Sequence, residues 1–508
     1  MKLRESASKL FSDSRALIVI SGLMAIGVAT ILGGHAATIT HSLQPETGNA
    51  PGYLIGTSDL ASGKQFIRFG SGSACDDPAY TYNGYRRPYG PRAAYNVPAC
   101  AVGKWNERSD DWVNRLASYG IQANPTRYDN NGVSTLSTNL DFGVEFGPVS
   151  GNLNGTDYSI PVYDARTATE QVRVFINRSY LGYNANLGGT YIDSPSYNWD
   201  AKAPWNPAWL PSDGFDQLLI AINPDTGQEW FYWAAIRQDM PSHYDHNTSG
   251  CITTEALLHG YNPAVDLCAA ALRATKTTSG QPADFRTFEG NQPGSSGGGL
   301  QNYAGLVTPE EVASGKIRHA MKFPISNPMF GPACSKSLNI NDPSVGTTCG
   351  TEFAPAGNFE AIGNTTGLFG GTRLFAPGNT PDERRANTVP EGLRFALNIT
   401  DGEINSWLDS RGYTGRKRET ARIFAVAMRD YGIIITDGTA GGAFIQTAGS
   451  VNPDTAQKWK DLGLTDDSYD LLFKLVTKDR LYALKPAINE CADGTTSHYY
   501  CPSDLSHY

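Results

Sequence analysis

Residues 16–34 form a run of nineteen residues without a charge, preceded by Lys2, Arg4, Lys9 and Arg15. An apolar stretch of about 18 residues or more is long enough to cross a bilayer, whereas a signal-peptide core is nearer to about 7–15. The basic flank is expected on the cytoplasmic side, so everything after the run is expected to face outward. Two readings stand: an uncleaved anchor, or a signal peptide cut at the small-x-small site Gly34, His35, Ala36. The first gives a membrane-anchored protein with an extracytoplasmic body, the second a secreted one.

Export changes how the eight cysteines are read. Cys75, Cys100, Cys251, Cys268, Cys334, Cys349, Cys491 and Cys501 contain no CxxC couple, so neither a zinc ribbon nor a thioredoxin motif is encoded. They fall into four sequence-local couples. Sequential pairing is the simplest connectivity, and each bond would close a loop of roughly 10–25 residues, contributing about 2–4 kcal/mol.

Charged residues make up only 18 % of the chain, while glycine (54) and proline (30) are plentiful. That balance points to a turn-rich, β-rich body. The formal net charge of −9 and the lack of a Lys/Arg cluster argue against a nucleic-acid partner.

The patterning agrees. Residues 140–146 alternate, with Asp141, Gly143 and Glu145 on one face and Phe142, Val144 and Phe146 on the other. The clearest hairpin spans residues 217–236. It turns at Asn223, Pro224, Asp225, Thr226 and Gly227, and both faces of its return strand are aromatic, which predicts a central strand. Helices are expected at 109–118, 254–259, 263–274, 401–410, 416–431, 454–462 and 467–476. The expected fold is mainly β, with a β-sandwich or jelly-roll-like main body and a smaller α+β C-terminal part. The expected division is an anchor or signal (residues 1–37), a spacer and stapled irregular segment (38–110), a β-rich main domain (111–385), the α+β part (386–490) and a stapled tail (491–508).

Motifs concentrate in residues 294–323. A loop containing Gly294, Gly297, Gly298 and Gly299 leads to a short helix with Thr308 as N-cap, Pro309 at its first position and Glu311 completing a Thr-x-x-Glu box. Gly315 suits a left-handed stop. Residues 316–323 then alternate, with Ile317, His319, Met321 and Phe323 on one face and Arg318, Ala320 and Lys322 on the other. No Walker A follows the glycine loop and no GxGxxG follows a strand, so no nucleotide site is expected.

Four phrases, PDTGQEWFYW (224–233), GSSGGGLQNYAGLVTPEEVASGKIRHAM (294–321), VPEGLRFAL (389–397) and AMRDYGIIITDGTAGG (427–442), together resemble a group of large secreted, uncharacterised bacterial proteins. The resemblance covers roughly residues 110–485. It implies export and a β-rich fold, and it carries Glu229, Trp233, His319 and Asp437 as motif positions without an assigned reaction.

Candidate chemistry is sparse. His319 on an apolar face is either a satisfied core histidine or a group at the floor of a site, with Glu229 and Asp437 as the other candidate catalytic groups. Asp141 and Glu145 lie about 13 Å apart along one strand. Glycosidase carboxylates need about 5–5.5 Å or 6.5–9.5 Å, so any acid–base pair must form across strands, for example Glu145 with Glu229. His243, Asp245 and His246 are the densest set of metal-ligand types, although the spacing is not His-Glu-x-x-His. No organic cofactor is expected, and a metal ion only there. Trp199, Trp205 and Trp209, in a proline-rich loop, and Trp233 are candidate sugar-stacking rings, the alternative being packing against the sheets. Two functions follow: an exported protein that binds or processes extracellular or cell-envelope glycan, or a non-enzymatic surface structural or adhesion protein held by disulfides.

Overall fold

The structure is a computed structural model. It describes residues 53–57, 65–69, 89–90, 93–118, 143–145, 159–176, 202–213, 216–242, 244, 251–252, 254–269, 271–274, 296, 298–325, 328–356, 378–438, 443–465, 468–491, 493–499 and 506–507. The chain divides into two compact units, Met1–Asp77 and Pro78–Tyr508.

The α-helices are α1 (Ala99–Val102), α2 (Ser109–Ser118), α3 (Thr254–Leu258), α4 (Pro309–Ala313), α5 (Pro381–Arg385), α6 (Asp401–Arg411), α7 (Gly415–Asp430) and α8 (Pro453–Asp461). The strands are β1 (Tyr53–Thr57), β2 (Gln65–Phe69), β3 (Gly143–Glu145), β4 (Val162–Asp164), β5 (Glu170–Ile176), β6 (Lys202–Trp205), β7 (Leu219–Asn223), β8 (Gln228–Trp233), β9 (Leu267–Ala269), β10 (Ala271–Ala274), β11 (Met321–Ile325), β12 (Arg394–Leu397), β13 (Ile433–Gly438), β14 (Phe444–Gln446), β15 (Leu481–Ala483), β16 (Ile488–Glu490), β17 (Thr496–Ser497) and β18 (Ser506–His507).

In the first unit β1 and β2 pair antiparallel, from Tyr53 opposite Phe69 to Thr57 opposite Gln65. Part of the stretch expected to be spacer is therefore paired strand.

The described sheets of the second unit have two to four strands, in the orders β10-β8-β7-β4, β11-β13-β12-β15, β6-β5-β9, β17-β16-β18 and β14-β3. Helix and strand occupy comparable shares, and the sheets mix parallel with antiparallel pairing and are not closed. Strands are abundant, as the composition predicts, but helix is as frequent, and the small, open described sheets do not establish the expected sandwich or jelly roll. The sheet β11-β13-β12-β15 takes strands from both sides of residue 385.

The predicted hairpin is β7–β8, antiparallel from Leu219 opposite Tyr232 to Asn223 opposite Gln228. Strand β8 lies between β10 and β7, the central place that its two aromatic faces require. Helices α6 and α7 sit where their signals put them. Thr400 and Glu403 form a complete reciprocal capping box, and Ala421, Phe424, Ala425 and Met428 of α7 are buried. The α7 face covers one side of β11-β13-β12-β15, within a core that includes Met321, Phe323, Phe395, Ile433 and Ile435. Full burial of such a side chain contributes about 1.5–3 kcal/mol.

Two helix expectations fail. Residues 263–274 carry β9 and β10 instead. The Leu267–Ala269 backbone runs parallel to Val174–Ile176, and Cys268 is bonded to Cys251. These distant partners override a local helical pattern. Of the described residues 468–476 only Ser468–Asp470 is helical, as a single 3-10 turn.

Cys251–Cys268 and Cys334–Cys349 are bridged, with Cα separations of 6.0 and 4.9 Å. Cys100 and Cys491 are also disulfide-bonded, while Cys75 and Cys501 lie outside the described residues. So does the apolar run at 16–34. No described helix is long and apolar enough to cross a membrane.

Candidate functional site

The even residues of β11, β12 and β13 face away from α7. Lys322 lies opposite Ile434, and Arg394 lies opposite Ile434 from the other side, so the three form one row across the sheet. Lys322 and Arg394 are only 2 % and 1 % exposed. Burying a charge is costly unless it is matched by partners. Arg394 meets that demand with main chain, donating from Nη1 to Ala94 O (2.9 Å) and from Nη2 to Val97 O (2.9 Å) and Tyr431 O (2.6 Å). Lys322 Nζ donates to Asn302 Oδ1, and Asn302 is likewise buried.

Two segments roof this row. One is the turn at residues 89–97, where Asn96 Nδ2 donates to Tyr89 O (3.1 Å) and Gly90 O (2.8 Å). The other is the end of the glycine-rich loop. There Leu300 and Ala304 pack with Tyr89, Tyr95 and Ile434, and the Gln301 backbone N donates to Tyr95 Oη (3.1 Å). Gly298 lies against the Glu391 carboxylate so closely that a Cβ there would stand 2.5 Å from Glu391 Cδ. No other residue fits at that position without displacing the carboxylate. The glycine loop is thus a close approach of backbone to a buried acid.

Glu229, 2 % exposed, accepts from Tyr89 Oη at 3.0 Å. Burial pushes the Tyr95 phenol above its ordinary range, the Gln301 N–H partly offsets this, and the Glu229 charge adds to the rise. Tyr95 therefore enters this layer as a neutral hydroxyl at neutral pH.

His319 is fully buried outside that row. Its Nε2 lies 2.9 Å from Glu311 Oε2 and its Nδ1 lies 2.9 Å from Ala320 O. The carbonyl accepts from Nδ1, and Nε2 faces the Glu311 carboxyl group. Glu311 Oε1 accepts from Arg318 N at 3.0 Å. Thr308 does cap Glu311 N (3.4 Å) and Gly315 adopts φ +88° as the stop. The glutamate of the expected box instead turns forward to hold the chain after the helix. This is the core-histidine reading.

Two of the three candidate catalytic groups, His319 and Asp437, stand toward opposite ends of the β11–β13 pairing. Asp437 is partly buried near the C-terminal end of β13, beyond the point where Phe323 lies opposite Ile435, and its Oδ1 accepts from Gly438 N at 3.1 Å. His319 precedes the other end, where Met321 lies opposite Ile433. Ile433 to Asp437 is already about 13 Å of strand. Glu145 and Glu229 belong to different sheets.

Of the two readings of the aromatic loop, Trp205 and Trp209 follow packing rather than sugar stacking. Trp205 and Trp209 are 1 % and 3 % exposed. Trp209 stacks on Tyr163 at 5.3 Å between ring centroids, and Trp205 packs edge-on to Trp209 (6.1 Å) and Tyr232 (5.8 Å). These rings serve as core because β6 pairs with β5 and turns the loop inward. Trp233 is half-buried, with Nε1 3.3 Å from Asp216 Oδ1. Trp199, His243, Asp245 and His246 lie outside the described residues. Among the described residues no group of three His, Cys, Asp or Glu side chains is placed to hold a metal ion. Among the described residues the exposed large apolar side chains are Ile252, Leu257, Leu258 and Val265, all inside the Cys251–Cys268 loop.

Sequence reasoning missed Lys322, Asn302, Glu391, Arg394 and the two tyrosines. A signal was present: Lys322 and Arg394 each stand inside an otherwise apolar strand. No family model, no curated protein and no solved structure matches the chain.

Proposed function

We infer that the protein is a non-enzymatic, extracytoplasmic surface or structural protein, held at the membrane or released from it by its N-terminal segment. One observation carries this reading: four of the six described side chains singled out for catalysis or sugar stacking are spent on internal packing. His319, Glu229, Trp205 and Trp209 are each at most 3 % exposed. A hydrolase needs its acid and base open to a substrate and within bonding reach of it. In the polar layer under the glycine loop Lys322, Asn302, Arg394, Glu391 and Glu229 are all buried, and its hydrogen bonds hold segments in place. The disulfides, which stiffen an exported chain, fit the same role.

A glycan array and a polysaccharide-degradation screen on the full chain test the reading. The expected result is neither retained glycan nor soluble product. Asp437 is the candidate carboxylate that is not fully buried. Product release that disappears in Asp437→Asn or Glu229→Gln overturns the reading in favour of a glycan-active enzyme.

A further inference from the structure

Lys322 and Asn302 form an unusual couple, a primary amine in contact with a carboxamide where both are withdrawn from water, each 2 % exposed. The main chain sets their approach. Lys322 N donates to Gly305 O at 2.7 Å, which lays the segment after Asn302 along the start of β11. Gly305 sits so close that a Cβ on it would be 3.0 Å from Lys322 N. Leu300 and Ala304, which flank Asn302 in the chain, and Ile434, which lies opposite Lys322, share one buried cluster with Tyr95. Two buried carboxyl groups border this layer. Glu391 lies against Gly298, four residues before Asn302. Glu229 is held by Tyr89 and lies close enough to Tyr95 to act on its phenol, while Tyr95 in turn touches Gln301.

We propose that Lys322 and Asn302 become joined by an intramolecular isopeptide bond, formed by the folded chain itself with Glu391 or Glu229 as proton relay. The uncharged Lys322 Nζ attacks Asn302 Cγ, forming the new C–N bond. The carboxyl group donates a proton to Nδ2 and accepts one from the attacking nitrogen. The Cγ–Nδ2 bond then breaks and ammonia leaves. One amine and one primary amide become one secondary amide and one ammonia, so no oxidant, metal or cofactor is consumed. A dry pocket favours the uncharged amine and keeps water from competing as nucleophile. Fixed main chain on both sides supplies the proximity that makes so poor an electrophile reactive. The bond would close a loop across a separation of 20 residues, locking α4 and the His319–Glu311 couple to β11. It is independent of the inferred function, since an enzyme could carry it equally well.

Peptide mapping of the purified, reduced and denatured full chain tests it. The expected product is a branched peptide joining the Asn302 and Lys322 segments, lighter than the two separate peptides by one ammonia, about 17 Da, with trypsin failing to cut after Lys322. Lys322→Arg and Asn302→Ala are each expected to abolish the branch, and either Glu391→Gln or Glu229→Gln to leave the two segments unlinked in a folded chain. Linear peptides of full mass in the wild-type protein overturn the proposal. So does the same mass deficit confined to a linear Asn302 peptide, which marks a cyclised asparagine. A branch that survives in both glutamine variants overturns the assignment of the proton relay.

Discussion

The sheet β11-β13-β12-β15 has two faces of opposite character, although both are dry. On one, Met321, Phe323, Phe395, Ile433 and Ile435 are at most 1 % exposed and meet the apolar side of α7. On the other, Lys322 and Arg394 are as deeply buried but lie beneath the turn at residues 89–97 and the glycine loop. The apolar face is held by volume and area, which are non-directional, so neighbours can share a small change. The polar face is held by hydrogen bonds to particular atoms, three main-chain carbonyls for Arg394 and the Asn302 amide for Lys322, and a buried polar group that loses its partner has nothing to replace it. The first face supplies cohesion. The second specifies which segment docks there and in which position.

The comparison breaks or holds on paired substitutions in adjacent residues. Arg394→Lys keeps the charge, but one ammonium cannot serve the three carbonyls that the guanidinium forks across, and a loss of about 3–5 kcal/mol is expected. Phe395→Leu, on the opposite face, is expected to cost only about 1 kcal/mol. Urea unfolding midpoints at unchanged slope measure both, and equal losses would dissolve the distinction. A pH-dependent test comes next. Glu352 is partly buried, and burial raises its carboxyl from the ordinary 4.5 to about 7, only partly offset by a backbone hydrogen bond and by Lys336. The folded state therefore holds this proton more tightly than the unfolded chain does. Its contribution favours folding most below pH 4.5 and is lost as pH rises toward 7. Glu352→Gln should be near neutral at pH 4 and stabilising by about 2 kcal/mol at pH 8. An unchanged difference between the two pH values would refute the sign. The smallest effect belongs to Leu258, 82 % exposed within the Cys251–Cys268 loop. Leu258→Ser should stay within about 0.5 kcal/mol of wild type in thermal unfolding.

Much of the fold was legible because its signals are short-ranged. The box at Thr400 and Glu403, the hairpin around the Asn223–Gly227 turn and the cysteine couples 251–268 and 334–349 need only neighbours in the chain. Residues 263–274 were misread because strand pairing with β5 outweighs local helical pattern, and the partner lies some ninety residues away. Glu311 occupies the right position for its box, but its carboxylate is claimed by His319 and Arg318. Trp205 and Trp209 look exposed in a proline-rich sequence and become core once β6 pairs with β5.

By itself the sequence determined sidedness. With a period of two, Lys322 had to leave the face that carries Met321 and Phe323, whatever the rest of the chain did. Only the tertiary structure decided that this second face would also be buried. Asn302 comes from the loop before α4, Glu391 from the entry to β12 and Glu229 from another sheet. Periodicity is a property of one backbone, whereas the matching of a buried charge is a property of the several segments that close over it.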